Sequence, residues 1–389
     1  MNCELSEQLT IQLQVKMTSH IQNIPIDIIN IIINNDLDYH SQICLIVTCK
    51  LFLDNVNIHN VRISYQTNNL LFKRKNFDNV STLSISSCNK INISHLTNLT
   101  KLRIDHSYIE QSNIKKLTKL VSLDMISNNS ITDISHLTSL TYLSVVYTQI
   151  TTISNLYNLS HLRTTNNFET ITQLSYLTKL DIITNNFNQE NIMKIPTLLY
   201  LDICFNQEIS SLTHLTSLIY LSLARTNLKQ IDNLYNLTTL NISNNYSILV
   251  ISHLTNLLHL TIRYVDIDQK NIKNLTNLKT LRIGANKKIY DISHLTNLSK
   301  LDLRSSFNNI KQNSIDKLSN LLNLKIAFND SITDISHLTG LTSLHIGSAK
   351  CKITQNDIMG LFSLTKLNIS HNTNITSVTH LTNLTKLKQ

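Results

Sequence analysis

At 389 residues the chain could hold two or three domains and a large core. Only four glycines and two prolines exclude a flexible linker or low-complexity tail, and no apolar run approaches the roughly 18 residues that span a bilayer. A net charge of +9 permits an acidic partner without requiring nucleic acid. Residues 1–20 read as an N-terminal tail, with no positive flank and long apolar core to make them a secretory signal. The six cysteines are scattered without Cys-x-x-Cys spacing, as expected of reduced thiols. Together these features predict an intracellular protein, cytoplasmic or nuclear, with no membrane contact.

Residues 21–58 predict a small all-helical unit. Pro25 suits a first helical turn. Ile24, Ile28 and Ile32 share one side of that helix, with Ile29 on the neighbouring side. A second apolar run carries Ile43, Leu45, Ile46, Val47, Leu51 and Phe52. So small a unit has more apolar side chains than it can bury alone, which predicts docking on a partner or on the rest of the chain. Ile24-Pro25-Ile26-Asp27-Ile28-Ile29 and Val47-Thr48-Cys49-Lys50-Leu51-Phe52 resemble the opening and closing of an F-box. Ile stands where Leu is usual, and Thr where Val is common. The resemblance implies binding of a Skp-type adaptor of a cullin ligase through Ile24, Pro25, Ile28, Ile29, Ile32, Val47, Cys49 and Phe52. A plain helical cap over the first repeat of the chain is the alternative reading.

Residues 59–80 read as a connecting segment. From 81 to 389 a leucine recurs about every twenty residues, at Leu83, Leu102, Leu123, Leu143 and onward to Leu367 and Leu387, giving about sixteen repeats. A repeat so short cannot bury its own apolar face and must stack on its neighbours as a solenoid. In Thr280-Leu281-Arg282-Ile283-Gly284 the alternation predicts a short strand with Leu281 and Ile283 inward. The spacing of Ile289, Ile292, Leu295 and Leu298 by about three predicts a tight helical or 3-10 return. Five residues past the strand leucine stands a small polar residue, Asn at Asn128, Asn167, Asn185, Asn206, Asn245, Asn286, Asn329 and Asn372. An inward carboxamide there would satisfy backbone groups at the bend.

These phrases resemble the leucine-rich-repeat family, and Ile131 to Val145 its short, internalin-like subclass. The resemblance implies an α/β fold: a curved parallel sheet with 3-10 turns or short helices on the convex side and a concave face for binding. With the F-box-like segment ahead of it, the chain resembles F-box/leucine-rich-repeat proteins of amoebae and large DNA viruses. Such proteins are substrate-recognition subunits of cullin-type ubiquitin ligases, the adaptor on the F-box and the target on the concave sheet.

A second period places His95, His136, His214, His253, His294, His337 and His380 in alternate repeats, with Tyr176 in the missing slot. Alternate strands lie roughly 10 Å apart, too far for two rings to share one metal ion. The histidines therefore read as exposed residues copied with a two-repeat unit. The Asn-x-Ser/Thr sequons at Asn98, Asn236, Asn297 and Asn383 read as by-products of the repeated phrase. The predicted outward strand positions hold twelve Lys and Arg against five Asp, which favours an acidic protein target. Tyr142, Tyr200, Tyr220, Arg263, Arg282, Lys300 and Arg304 are the candidate target-binding residues. Four glycines build no phosphate cradle, and no Cys/His pair has metal-site spacing. The expectation is a binding protein without a cofactor rather than an enzyme. Stand-alone scaffolding is the alternative, and binding of nucleic acid on the basic face is disfavoured by the interleaved acids.

Overall fold

The computed structural model describes residues 60–64, 79–88, 91–184, 187–304 and 308–389. The F-box-like residues Ile24, Pro25, Ile28, Ile29, Ile32, Val47, Cys49 and Phe52 lie outside the described residues, as does Asn185. The chain forms two compact units, one up to Leu177 and one from Thr178.

The first unit carries strands β1 (Asn60–Ser64), β2 (Thr82–Ser86), β3 (Lys101–Asp105), β4 (Ser122–Ile126), β5 (Tyr142–Val146) and β6 (His161–Thr164). In the second are β7 (Lys179–Ile182), β8 (Tyr200–Asp202), β9 (Tyr220–Ser222), β10 (Thr239–Asn241), β11 (His259–Arg263) and β12 (Thr280–Gly284). It continues with β13 (Lys300–Asp302), β14 (Asn323–Lys325), β15 (Ser343–His345), β16 (Lys366–Asn368) and β17 (Lys386–Lys388). Within each unit consecutive strands pair in parallel, leucine opposite leucine, as Leu260↔Leu281 and Leu281↔Leu301. This is a parallel-strand solenoid with little helix. Its ladder starts ahead of the leucine repeat, inside the stretch expected to be a connection. β1 pairs with β2, and Val61 takes the place opposite Leu83, so counting leucines misses it.

Most turns of the solenoid close on a layer of Leu and Ile, with Phe168 and Phe187 as buried aromatic exceptions. Leu281, Ile283, Ile289, Ile292, Leu295 and Leu298 are all fully buried, each worth roughly 1.5–3 kcal/mol of transfer free energy. The expected return on the far side is mostly consecutive tight turns. Leu295 N–H donates to Ile292 O and Leu298 N–H to Leu295 O, both at 3.0 Å. A spacing of three reuses this i→i−3 bond without a helix, and the Thr and Asn between the leucines compete for backbone bonds that a longer helix would need. Among the described residues regular helix is confined to short pieces, such as Gln189–Met193 and Gln355–Ile358 (α) and Gln269–Asn271 and Gln312–Ser314 (3-10).

Polar side chains stitch one turn to the next. Asn286 is buried; its Nδ2 donates to Val265 O (2.7 Å) and Ile267 O (3.1 Å), and its Oδ1 accepts from Lys288 N and Ile289 N. Asn128, Asn206 and Asn245 repeat this pattern. Asn167 does not: it is exposed, and Asn166 donates instead to Ile150 O at 2.7 Å. The repeat that contains this bend is the shortened one, 18 residues from Leu162 to Leu180, and the bend falls one place earlier.

The histidines are not merely exposed copies. Nε2 of His136, His214, His253, His294, His337 and His380 each lies 3.0–3.4 Å from the carbonyl of an isoleucine 22 residues earlier. A carbonyl can only accept, so the ring proton is on Nε2. A glutamine 25 positions before five of them completes the two-repeat unit. Gln312 Oε1 accepts from Thr333 N and Asp334 N while its Nε2 donates to Asp334 O, and Gln111, Gln189, Gln269 and Gln355 do the same one unit apart. The sequon asparagines also hold the stack: Asn236, Asn297 and Asn383 donate to carbonyls of the preceding turn at 3.0 Å.

Candidate binding face of the second unit

Alternation in the strands puts one row of side chains before the leucine, one between the two inward residues and one after them, all on the outward side of the sheet. In the second unit this face changes character along the strands. β7 to β9 present Asp181, Asp202, Tyr200 and Tyr220, whereas β11 to β14 present Arg263, Arg282, Lys300 and Lys325, with Arg304 two residues past β13.

Tyr200 and Tyr220 stand opposite one another in the register and stack, with ring centroids 3.9 Å apart and planes 9° from parallel. Burial pushes both phenols up; for Tyr200 the Tyr220 hydroxyl and the carboxylates of Asp181 and Asp202 add to this. The pair is neutral at physiological pH and offers a flat aromatic edge beside two acids. Tyr142 belongs to the first unit, where its ring meets His161 edge-on at 4.8 Å. The three tyrosines therefore do not form one cluster within a unit.

The basic residues are better organised than their sequence suggests. Arg263 Nη2 lies 2.5 Å from Asp302 Oδ2, although β12 stands between their strands. Gly284, opposite Arg263 in the register, leaves the space; a Cβ there would sit 3.2 Å from Arg263 Cγ. From the other side Arg304 Nε reaches Asp302 Oδ1 at 3.0 Å and its Nη2 reaches Oδ2 at 2.9 Å. The Asp302 side chain is 8% exposed, against 35% and 34% for Arg263 and Arg304. Burial alone would push its carboxyl up. The Arg304 hydrogen bonds and the Arg263 charge outweigh burial and hold it below the usual carboxylate value.

Both carboxylate oxygens are thus taken. Arg282 stands directly beside Asp302 in the register, yet makes no ion pair among the described residues. Lys300 is exposed and likewise has no carboxylate partner among them. Around this cluster, burial and then the charge of Arg304 lower the Lys325 ammonium and the His345 ring. His259 is lowered by burial, then by Lys300, Lys279 and Arg282. The patch is one of uncompensated positive charge around a single buried acid. In the sequence Asp302, Gly284 and Lys325 count only as outward residues. The one local clue is Leu301-Asp302-Leu303-Arg304, which sets acid and base two apart on the same face. Among the described residues no cluster of His, Cys, Asp and Glu could hold a metal ion, and no helix is long and apolar enough to cross a membrane.

No family model matches this chain, and no curated protein matches it. Solved structures do share its fold. A leucine-rich-repeat protein of Leptospira interrogans has 20% identity and a TM-score of 0.52, over 81% of this chain and 96% of that one. The functional domain of InlJ from Listeria monocytogenes, which includes a cysteine ladder, has 23% identity and a TM-score of 0.51, over 75% and 69%. TLR13, in a complex with single-stranded RNA, has 19% identity and a TM-score of 0.51, over 85% of this chain and 57% of that one. At such identities the likeness is one of architecture, and it agrees with the strand ladder: this chain has the leucine-rich-repeat fold.

Proposed function

We propose that this chain is a protein-interaction scaffold whose outward sheet face in the second unit, with Tyr200, Tyr220, Arg263, Arg282, Lys300 and Arg304, holds an acidic protein target. The observation that carries this reading is the Asp302-centred cluster, where arginines are fixed in place and further cations are left without carboxylate partners among the described residues. Arginines held in a defined orientation are frequent anchors of interfaces. Tyr142 would belong to a separate contact on the first unit.

The resemblance of residues 21–58 to an F-box supports a finer reading, in which the chain is the substrate-recognition subunit of a cullin-type ubiquitin ligase and this segment binds the Skp-type adaptor. The test is a pull-down of a Skp-type adaptor by the full chain, beside a Pro25→Ala/Ile28→Asp variant whose circular dichroism and melting match the wild type. Capture by the wild type alone supports the ligase reading. Capture by neither leaves a stand-alone repeat scaffold.

A further inference from the structure

We propose that Arg263 and Arg304, fixed on Asp302, form with Arg282 and Lys325 a site for a phosphoryl group carried by an acidic protein segment. This deepens the reading of the sheet face as a target-binding surface and rests on it.

The charge count comes first. Across β11 to β14 and the residues just after them, the outward cations are Arg263, Arg282, Lys300, Arg304 and Lys325, and the outward acid is Asp302. Strands in a sheet lie about 4.8 Å apart, so these groups are packed within some 15 Å. Burial first, and then the charges of Arg304, Arg282 and Arg263, lower the Lys325 ammonium, with Asp302 alone pulling the other way.

The geometry selects the kind of anion. Each guanidinium has five N–H donors in a rigid fork. Arg263 gives one nitrogen to Asp302 and Arg304 gives two, so both keep donors, and both remain about a third exposed. Their orientation is set before any ligand arrives. A phosphoryl dianion presents three strong acceptor oxygens and can take donors from more than one fork, which a carboxylate does less fully. Arg282, without an ion pair beside them, supplies a third fork.

The same face argues for a protein carrier over a nucleic acid. Single-stranded nucleic acid sites interleave cations with aromatic platforms. No outward position of β10 to β17 holds Phe, Tyr or Trp; the exposed rings of Tyr264 and Phe328 stand in the turns that close β11 and β14, past the outward rows and not between the cations. The aromatic pair Tyr200 and Tyr220 instead neighbours the acids Asp181 and Asp202.

The experiment is a fluorescence-anisotropy titration of the full chain with a short acidic peptide bearing a central phosphoserine. Its unphosphorylated twin, inorganic phosphate as competitor and an oligouridylate are run alongside at physiological salt. The phosphopeptide is expected to bind at least about tenfold more tightly than its twin, and inorganic phosphate to displace it. Arg282→Gln, which touches no carboxylate, is expected to remove most of that preference without changing the melting temperature.

Asp302→Asn gives the deciding sign. If the cluster acts as a diffuse positive field, deleting a negative charge strengthens phosphopeptide binding and overturns the proposal. With Asp302 as a positioning residue, the same change weakens binding despite the added positive charge. Equal binding of the two peptides, abolished in both by Arg282→Gln, overturns the phosphoryl site but keeps the acidic-target reading. Tighter binding of oligouridylate overturns both in favour of nucleic acid, and no binding of any probe overturns both.

Discussion

Arg263 reaches the Asp302 carboxylate across an intervening strand, passing over Gly284. The contact joins the first and third of three consecutive turns, so it depends on a residue that belongs to neither partner. Gly284→Val is expected to destabilise the chain by about 1–2 kcal/mol, because a branched side chain would occupy the path of Arg263. In an Arg263→Ala background the penalty should shrink by more than half. Urea denaturation of the four chains gives this coupling; additive effects would mean that Gly284 serves the backbone alone.

The carboxyl of Asp302 is held below its ordinary value in the folded chain, so its contribution to stability is present above the unfolded value of about 3.9 and is lost as pH falls through the folded one. Asp291 and Asp334 act in the same direction through hydrogen bonds from Ser293 and Ser336. His259 and His345 are also lowered, chiefly by burial, so protonating them opposes folding as pH falls below about 6.5. Stability should therefore be highest above pH 7, decline slightly near pH 6 and fall steeply below pH 4. Asp302→Asn should flatten the steepest part, and His345→Gln the first decline. Denaturation midpoints between about pH 3 and 8 check both.

The strands and inward layer are legible in the sequence because hydrophobic alternation and a twenty-residue period are carried by Leu and Ile themselves. Asn128, Asn206, Asn245 and Asn286 are legible for a related reason, since each bend needs the same carboxamide. Asn167 misleads because the bend is fixed by hydrogen bonds, and a count from Leu162 lands one residue late. The Gln312–His337 spacing stands in the sequence without announcing a role. Polar residues on the return carry no hydrophobic signal, and each reads as exposed until the neighbouring turn is placed beside it. Asp302 is illegible for a stronger reason. Its phrase, Lys300-Leu301-Asp302, matches Lys179-Leu180-Asp181, and what sets it apart is Arg304 two residues on, with Gly284 and Arg263 on other strands.

The stitching residues should differ in weight according to burial. Asn286 makes four hydrogen bonds while 1% exposed, so Asn286→Ala leaves buried backbone groups without partners and should cost on the order of 3–4 kcal/mol. Gln312 also makes four hydrogen bonds, three to backbone groups and one to Asp316 Oδ1, but in an exposed setting, where water can replace it. Gln312→Ala should cost about 1 kcal/mol. Equal losses in urea denaturation would show that burial does not govern the stitching.

Phe328 adopts φ 69°, in the left-handed region, in the turn that closes its strand. Phe205 and Tyr264 take the same conformation at the same place in the repeat, so that in the second unit an aromatic recurs there after β8, β11 and β14. Asn244 fills the equivalent position after β10 at φ 55°. A left-handed conformation costs a bulky side chain roughly 1–2 kcal/mol, and Asn tolerates it better because its short polar chain bonds locally. Since Phe328 is half exposed, little burial offsets that cost. Phe328→Asn should therefore raise stability by up to about 1 kcal/mol, with a higher melting temperature as the readout. Phe205→Asn should gain less, because the Arg225 guanidinium lies 5.1 Å from the Phe205 ring centroid and its cation–π attraction would be lost. A loss of stability in Phe328→Asn would instead place that ring in a packing role that its exposure does not reveal.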